Sequence, residues 1–590
     1  MASDAVSSVA YAIEEMLLVL APVLGLSAVH YLGYITLPII LLFLVLAFSY
    51  SQIIANYPNG GGASMVAASA LIIDYVMTVA VSLSAATAAL ISAFPEFADY
   101  RLLFALLFLC VITLLNLRGM RESSKLFGAP TYAFIIIMLV LIVTGFVKLI
   151  TGNLPPVHYS ENLQPVAGGA GTISLFLLLR AFSSGCSALT GVEAVSNAVP
   201  SFREPSQRNA KRVLFILVGI IISILGGSVL LVTSLNIIPL EGKTVISQLG
   251  MAVFGPGPMF YILQFATSLI LLLAANTAYN GLPTLLAILA DDGFVPRQFM
   301  HRGTRLSFSN GIMFIFFAVA FLLIIFKAET HYLIPFYAIG VFLSFTLSQG
   351  GMLVRWIRAK EKGYWYKMCI NGLGAIMTGT GTIIVFVTKF SQGAWALAIL
   401  IPVIVFIMHR IETHYQFVGR QLAVNDFMSH YHKSTSHDTN LCIVLTGGIN
   451  RSVLKALNYA NLITSNVVAL HIATDEKQGQ LLQEKWKETG IDVPLEVIMS
   501  PYRELIEPVD DYISKKESNL LPGEMITVVM CRFIEESWFA NILHNQTTYF
   551  IMQRMRKHRN VSTVLVPYIY STAFQPAPKQ IDGKTDKGRA

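Results

Sequence analysis

Two short segments set an acid beside nearly the same neighbours, Asp4-Ala5-Val6-Ser7-Ser8 and Glu193-Ala194-Val195-Ser196-Asn197. Each belongs to a long apolar run, where an ionisable side chain is costly enough to mark a functional site. In the first run Asp4, Ser7 or Ser8, Tyr11 and Glu14 or Glu15 recur at helical spacing and share one face. A second run offers Asp74, Thr78 and Ser82 one turn apart, with Tyr75 beside them, and a third offers Ser183, Ser187, Thr190, Glu193 and Asn197. A single Ser or Thr in such a run commonly bonds to a neighbouring helix or to its own backbone, and a Tyr can anchor a membrane interface. The acids resist that explanation. The nearest basic residue in the run of Glu193 is Arg180, about 20 Å away along an unbroken helix.

Carboxylates, hydroxyls and phenols are oxygen donors. A transition-metal carrier would add sulfur or imidazole ligands, and these stripes hold only Met77. A few carboxylates among many neutral oxygens suit a large, weakly hydrated monovalent cation; potassium leads, and sodium is the alternative. An amino-acid substrate would need bare backbone N–H groups at a glycine-rich break in the first helix. The stretch 3–8 has no glycine, and its carboxylate would repel that of the substrate.

The elements that position these groups are helices in a membrane. The chain is 55% hydrophobic and 13% charged, with mean hydropathy +0.63, which marks a polytopic membrane protein. Runs near the ~20 residues needed to cross a bilayer fall at 4–25, 34–57, 65–93, 102–117, 127–151, 173–199, 212–237, 258–288, 309–326, 331–354, 369–388 and 393–409, twelve in all. The repeated acid motif, five segments apart, predicts an inverted repeat with the substrate between its halves. No cleavable signal peptide is visible. Counted over alternate loops, fifteen Lys and Arg face five, which puts both termini in the cytoplasm. The net charge of +7 is largely this bias and gives no reason to expect nucleic acid. Five scattered cysteines lack metal-ligand spacing and predict no structural disulfide.

After His409 short β-rich runs alternate with amphipathic segments. Strands are expected at Leu441–Thr446, Val467–Ile472, Leu495–Met499, Met525–Met530 and Val561–Val566, and a parallel sheet follows from the alternation. The expected domains are thus 1–410 in the membrane and 411–590 outside it. Thr446-Gly447-Gly448 ends the first strand before a helix beginning near Asn450. A glycine turn there can hold phosphate or simply connect strand to helix, and neither GxGxxG nor a P-loop is present. The domain resembles the universal stress proteins, but Cys531-Arg532-Phe533-Ile534-Glu535-Glu536 follows the fourth strand where ATP-binding members are glycine-rich. Dimerisation or sensing of a regulatory nucleotide fits better. No catalytic constellation is apparent, so an enzyme is not expected.

The segments SDAVSSVAYA at 3–12, ANYPNGGGA at 55–63, LIIDYVMTVAVS at 71–82, LTGVEAVSNAVP at 189–200 and FREPSQRNAKR at 202–212 resemble the KUP-type potassium permeases of the amino acid–polyamine–organocation superfamily. The resemblance covers nearly the whole chain. It implies an all-α membrane protein of LeuT-type fold, a 5+5 inverted repeat within twelve transmembrane helices, followed by the cytoplasmic α/β domain. It further implies a homodimer joined through that domain and proton-coupled potassium import across the bacterial plasma membrane, with no cofactor besides the transported ions. Carried over by residue, the ion pathway uses Asp4, Tyr11, Asp74, Tyr75, Thr78, Ser82, Thr190 and Tyr337, with potassium held at Asp4, Tyr11, Asp74 and Thr190 and with Glu193 as the coupling acid. Burial favours the protonated form of a carboxyl group, which suits a proton carrier. Inhibition by a nucleotide second messenger such as cyclic di-AMP would give the C-terminal domain its purpose. In that fold Asp4 belongs near mid-membrane, so tens of residues are expected before Met1, and further residues near Gly60-Gly61-Gly62. An amino-acid or polyamine carrier of the same fold, and a membrane-anchored sensor, are the alternatives.

Overall fold

The computed structural model describes residues 2–56, 65–118, 124–154, 173–197, 199, 202–240, 242–301, 308–360, 363–423, 440–500, 504–521, 524–534 and 546–569. Arg121, Arg302, Arg305 and Lys362 of the loop count, residues 57–63 of the second motif, and Glu535 and Glu536 lie outside them. The chain divides between His409 and Arg410 into two compact units.

The first unit is helical: α1 (Ala2–Ser7), α2 (Val9–Leu24), α3 (Leu32–Asn56), α4 (Met65–Ala93), α5 (Arg101–Leu117), α6 (Ser124–Ile150), α7 (Leu175–Gly185), α8 (Val192–Asn197), α9 (Ser206–Leu235), α10 (Val245–Phe254), α11 (Pro258–Asp291), α12 (Ser309–Ile325), α13 (Thr330–Ala359), α14 (Tyr364–Lys389) and α15 (Trp395–Leu422), the last continuing past the division. Among the described residues nine helical stretches are long and apolar enough to cross a membrane, the first running unbroken in composition from Ser3 to Asn56. Leu175–Leu189, Val245–Phe254 and Ser309–Ile325 are shorter apolar helices. The twelve runs expected from the sequence fall on these nine stretches and on two of the three shorter helices. The short α10 was not expected.

These helices are apolar all round, as a helix between protein and lipid must be. Helix α12 buries Ile312, Ile315, Val319 and Leu323 and exposes Phe314, Phe317, Phe321 and Ile324 on its other side. Helix α4 is the opposite case. It is rich in Ala, Ser and Thr, is buried along nearly its whole length, and packs on α11 and α13; small side chains let helix backbones approach closely where no water drives association.

The second unit is a five-stranded parallel sheet in the order β3-β2-β1-β4-β5, with β1 Leu441–Leu445, β2 Val467–Ala473, β3 Leu495–Met499, β4 Ile526–Ile534 and β5 Val561–Ile569. The five expected strands are all present, and β4 and β5 are longer than expected. The central strand, Leu-Cys-Ile-Val-Leu, is apolar throughout because both faces are covered. Cys442 and Val444 point into one core with Val453, Leu454, Leu457 and Trp486; Ile443 points into the other with Val509, Ile513, Ile551 and Met555. Helices Arg451–Ile463 and Glu476–Glu488 therefore cover one face, and Ile506–Glu517 and Gln546–Met555 the other.

A charged knot ties that second face together. His558 Nε2 is 2.9 Å from Asp510 Oδ1, its Nδ1 is 2.6 Å from Glu517 Oε2, and Arg554 Nε donates to Asp510 Oδ2 at 2.7 Å. Only the imidazolium donates at both ring nitrogens. Partial burial opposes the charge on His558, but the bonds and charges of Asp510 and Glu517 outweigh it and hold the imidazole above its ordinary pKa. Burial likewise opposes ionisation of Asp510, yet the bonds from His558 and Arg554 hold its carboxyl below the usual range. The Asn560 amide and the His558 ring do the same for Glu517.

Candidate functional site, a cation path at two helix breaks

Two helices of the first unit break side by side. The first breaks at Ser8, between α1 and α2, where the Ser8 hydroxyl bonds to the carbonyl oxygens of Ala5 (2.8 Å) and Ala188 (2.9 Å). The second leaves α7 through a 3-10 turn at Cys186–Leu189, passes an extended Thr190 and Gly191, and resumes as α8. Gly191 has φ of +79°, and a β-carbon there would lie 2.5 Å from the Ala5 nitrogen and 2.8 Å from its Cα. Only glycine meets both conditions, the left-handed backbone and the backbone-to-backbone approach.

The twin motifs seen in the sequence thus meet in space. Their local bonding matches too: Ser7 Oγ donates to the Asp4 carbonyl at 2.8 Å, and Ser196 Oγ to the Glu193 carbonyl at 2.9 Å. In each, a hydroxyl three residues on takes up a carbonyl near the interruption, so the acid is held on a short, fixed segment.

Around this joint α4 and α13 supply the remaining groups. Thr78 Oγ1 donates to the Tyr337 phenol at 3.3 Å. The Tyr11 phenol is within hydrogen-bonding reach of Thr190 and of Tyr337, and Tyr337 also of Thr190. The carboxyl groups of Asp74 and Glu193 are within reach of each other, and Ser344 Oγ donates to Glu193 Oε2 at 3.2 Å. Asp74 Oδ1 and Glu193 Oε1 are buried with no hydrogen-bond partner among the described residues. Asp4, Tyr11, Asp74, Thr78, Thr190, Glu193 and Tyr337 are all less than a tenth exposed. The cluster offers carboxyl, hydroxyl and phenol oxygens, and among the described residues no lysine or arginine is paired with them.

Two expected residues stand apart. Ser82 is buried on the face of α4 that carries Asp74 and Thr78, but no described hydrogen bond joins it to the others. The ring of Tyr75 packs against Gly281 of α11, where a β-carbon would be 2.6 Å from its Cε1. The sequence reading missed Ser344 and Tyr50. Tyr50 is buried on α3, close enough to Glu193 and Asp74 to feel their charge. Ser344 lies two turns from Tyr337, a periodicity present in the sequence; Tyr50 carries no such signal.

In the second unit the turn after β1 uses its own groups. Thr446 Oγ1 accepts from the Gly448 amide at 3.1 Å and donates to the Gly448 carbonyl at 2.9 Å. Asn450 caps the following helix, its Oδ1 accepting from the amides of Ser452 and Val453 at 3.1 and 3.0 Å. Three of the amides that would cradle a phosphate are therefore occupied. Thr446, Gly447 and Gly448 do lie at the carboxyl end of β1, beside the β1–β4 pair where the strand order reverses and open sheets bind ligands.

Comparison with known proteins agrees with both units. Residues 5–408 match the amino acid permease family, and residues 437–568 match the KimA potassium transporter C-terminal domain. The chain is 40% identical over 583 residues to the potassium transporter KimA of Bacillus subtilis (strain 168), covering 96% of this chain and 94% of that one. Among solved structures, the manganese transporter of Eremococcus coleocola in complex with an aromatic bis-isothiourea compound matches at TM-score 0.35 and 13% identity, over 70% of this chain and 95% of that chain. Its E129A mutant matches at 0.38 and 11%, over 70% and 93%. Scores that low carry no argument about the site. The family match and the multiple apolar helices mark a multi-pass membrane transporter rather than an enzyme. The chain belongs to the amino acid permease family, among the KimA potassium transporters.

Proposed function

We propose that this chain imports potassium into a bacterium by proton-coupled symport. The observation that carries the reading is the joint of two helix breaks, each presenting one acid, Asp4 and Glu193, to an interior lined by Tyr11, Asp74, Thr78, Thr190 and Tyr337. Oxygen groups of this kind can replace the hydration shell of a weakly hydrated monovalent ion, and the name of the Bacillus subtilis relative supports potassium. Asp4, Tyr11, Asp74 and Thr190 hold the ion, Tyr75, Thr78, Ser82 and Tyr337 line its way, and Glu193 carries the coupling proton. Adjacent acids cannot both ionise cheaply in a low dielectric. The pairing of Glu193 with Asp74 therefore supports a proton that moves when a cation arrives.

The architecture belongs to the same proposal: twelve membrane spans with a LeuT-type 5+5 inverted repeat over residues 1–410, and both termini in the cytoplasm. Residues 411–590 form a regulatory and dimerisation domain, related to universal stress proteins, through which a messenger such as cyclic di-AMP restrains transport. The test is growth of a potassium-uptake-deficient bacterium at micromolar potassium with the natural protein or its Asp4→Asn variant. Rescue by the first alone supports the reading. No rescue by a protein that reaches the membrane refutes it, and the match to amino acid permeases then makes a polyamine the next substrate to try.

A further inference from the structure

Along α2 and α13, beyond the tyrosines of the ion path, lies a second group of charges that transport as proposed leaves unused. Glu15 is one turn past Tyr11 and only 2% exposed, and its Oε2 is 3.0 Å from His331 Nδ1. His331 itself is six residues before Tyr337 on α13, about 9 Å along the axis. Lys389 ends α14 with a side chain 1% exposed, and its Nζ has no hydrogen-bond partner among the described residues; the charges it feels are those of Glu15 and Arg180. Arg180, on α7, has a buried Nε that is likewise unpartnered. At the margin Glu14 accepts from the Val245 amide, and Arg101 pairs with Glu329 at 2.7 Å. Four helices, α2, α7, α13 and α14, thus bring charges of both signs together near the first turn of α13, about 20 Å along that helix from Ser344.

We propose that Glu15, His331, Lys389 and Arg180 form an ionic seal over this end of the ion path. The inference rests on the reading of an ion path between the helix breaks. A buried ammonium without a hydrogen bond is expensive, so the closed arrangement must be held by the charge of Glu15 and is poised to come apart when that charge is removed. The closed group keeps water and ions from entering the path at this end. By the loop-charge bias this end faces outward.

The seal can be read without measuring transport. Ser183, fully buried one turn from Arg180 toward the helix break, is replaced by cysteine in the full chain freed of its native thiols, and labelled with a membrane-impermeant thiol reagent in right-side-out and inside-out vesicles. In right-side-out vesicles labelling of this parent is expected to be slow. Adding Glu15→Gln or Lys389→Met should speed it about tenfold, the factor given by ~1.4 kcal/mol, and His331→Ala, which removes the partner of Glu15, should speed it too. Rates unchanged by all three substitutions overturn the proposal, as does an effect confined to inside-out vesicles. Because labelling needs no cargo, a seal that responds in a protein that fails to import potassium would refute the cargo and leave the seal standing.

Discussion

Replacing Gly191 by alanine tests the joint on which the site is built. The new β-carbon would lie 2.5 Å from the Ala5 nitrogen and 2.8 Å from its Cα, roughly 1 Å inside ordinary contact distance. It would also have to adopt φ of +79°, at a cost of about 1–2 kcal/mol for a residue with a side chain. Relief of the overlap adds about 1–3 kcal/mol, unless α1 and α8 move apart by close to 1 Å. A shift of that size at a binding centre costs on the order of a hundredfold in rate, because Asp4 is adjacent to the atom displaced and Glu193 is two residues from the other. Uptake of labelled rubidium by potassium-depleted cells is expected to fall by that factor, with the amount of protein in the membrane measured in parallel. Gly226→Ala is the control: nothing lies within 4 Å of its β-carbon position in α9, and it should change uptake little. Full transport by Gly191→Ala would refute the argument that the two breaks must touch through backbone atoms.

Other outcomes follow from the same geometry. Asp4→Asn and Asp74→Asn should abolish uptake while leaving the protein in the membrane, and substantial flux in either would remove that acid from the ion path. Glu193→Gln should keep part of the ion affinity and lose accumulation driven by a pH gradient; normal pH-driven accumulation would sink the assigned role. Tyr337→Phe removes the acceptor of the 3.3 Å Thr78 bond, a neutral hydrogen bond worth about 1 kcal/mol, so a several-fold rise in the rubidium concentration for half-maximal uptake is expected and an unchanged value counts against the contact. In the C-terminal unit His558→Gln should destabilise the fold by about 1–2 kcal/mol near neutral pH, the loss of a charge-assisted pair, read by thermal unfolding of the full chain. The contribution of His558 is complete below the ordinary imidazole pKa and is lost as pH rises through its raised folded value; those of Asp510 and Glu517 are present above the ordinary carboxylate range and lost as pH falls through their lowered values. The variant should therefore differ most between those limits, and an equal difference at alkaline pH would refute the pairing.

Much of this was legible in the residues because the membrane leaves so little freedom. Acids in apolar runs had to be functional or paired, and the repeated acid-Ala-Val-Ser segments had to be equivalent if the chain was built of two halves; their adjacency in space bears on both. The five strands were legible for a related reason: β1 is apolar throughout, which only a sheet covered on both faces permits. What could not be read was proximity without periodicity. Nothing in the sequence brings Tyr50 to the carboxylates, and nothing tells that Tyr75, one residue from Asp74, turns to fill the gap at Gly281. The phosphate reading of Thr446-Gly447-Gly448 depended on free amides, and side-chain bonds from Thr446 and Asn450 occupy several of them, a competition that spacing alone does not reveal.

The contact between Gly191 and Ala5 has a consequence for how such a site can change over generations. A junction made of main-chain atoms encodes no preference for any cargo; it fixes where two acids stand and leaves their chemistry to the side chains. Exchanging Asp4 or Glu193 would change how a cargo is held, or whether it is held at all, while the scaffold survives. A bulkier residue at Gly191 would remove the scaffold itself. Selectivity is thus free to drift where the frame is not, and a lineage can explore new substrates through single substitutions without first relearning how to fold.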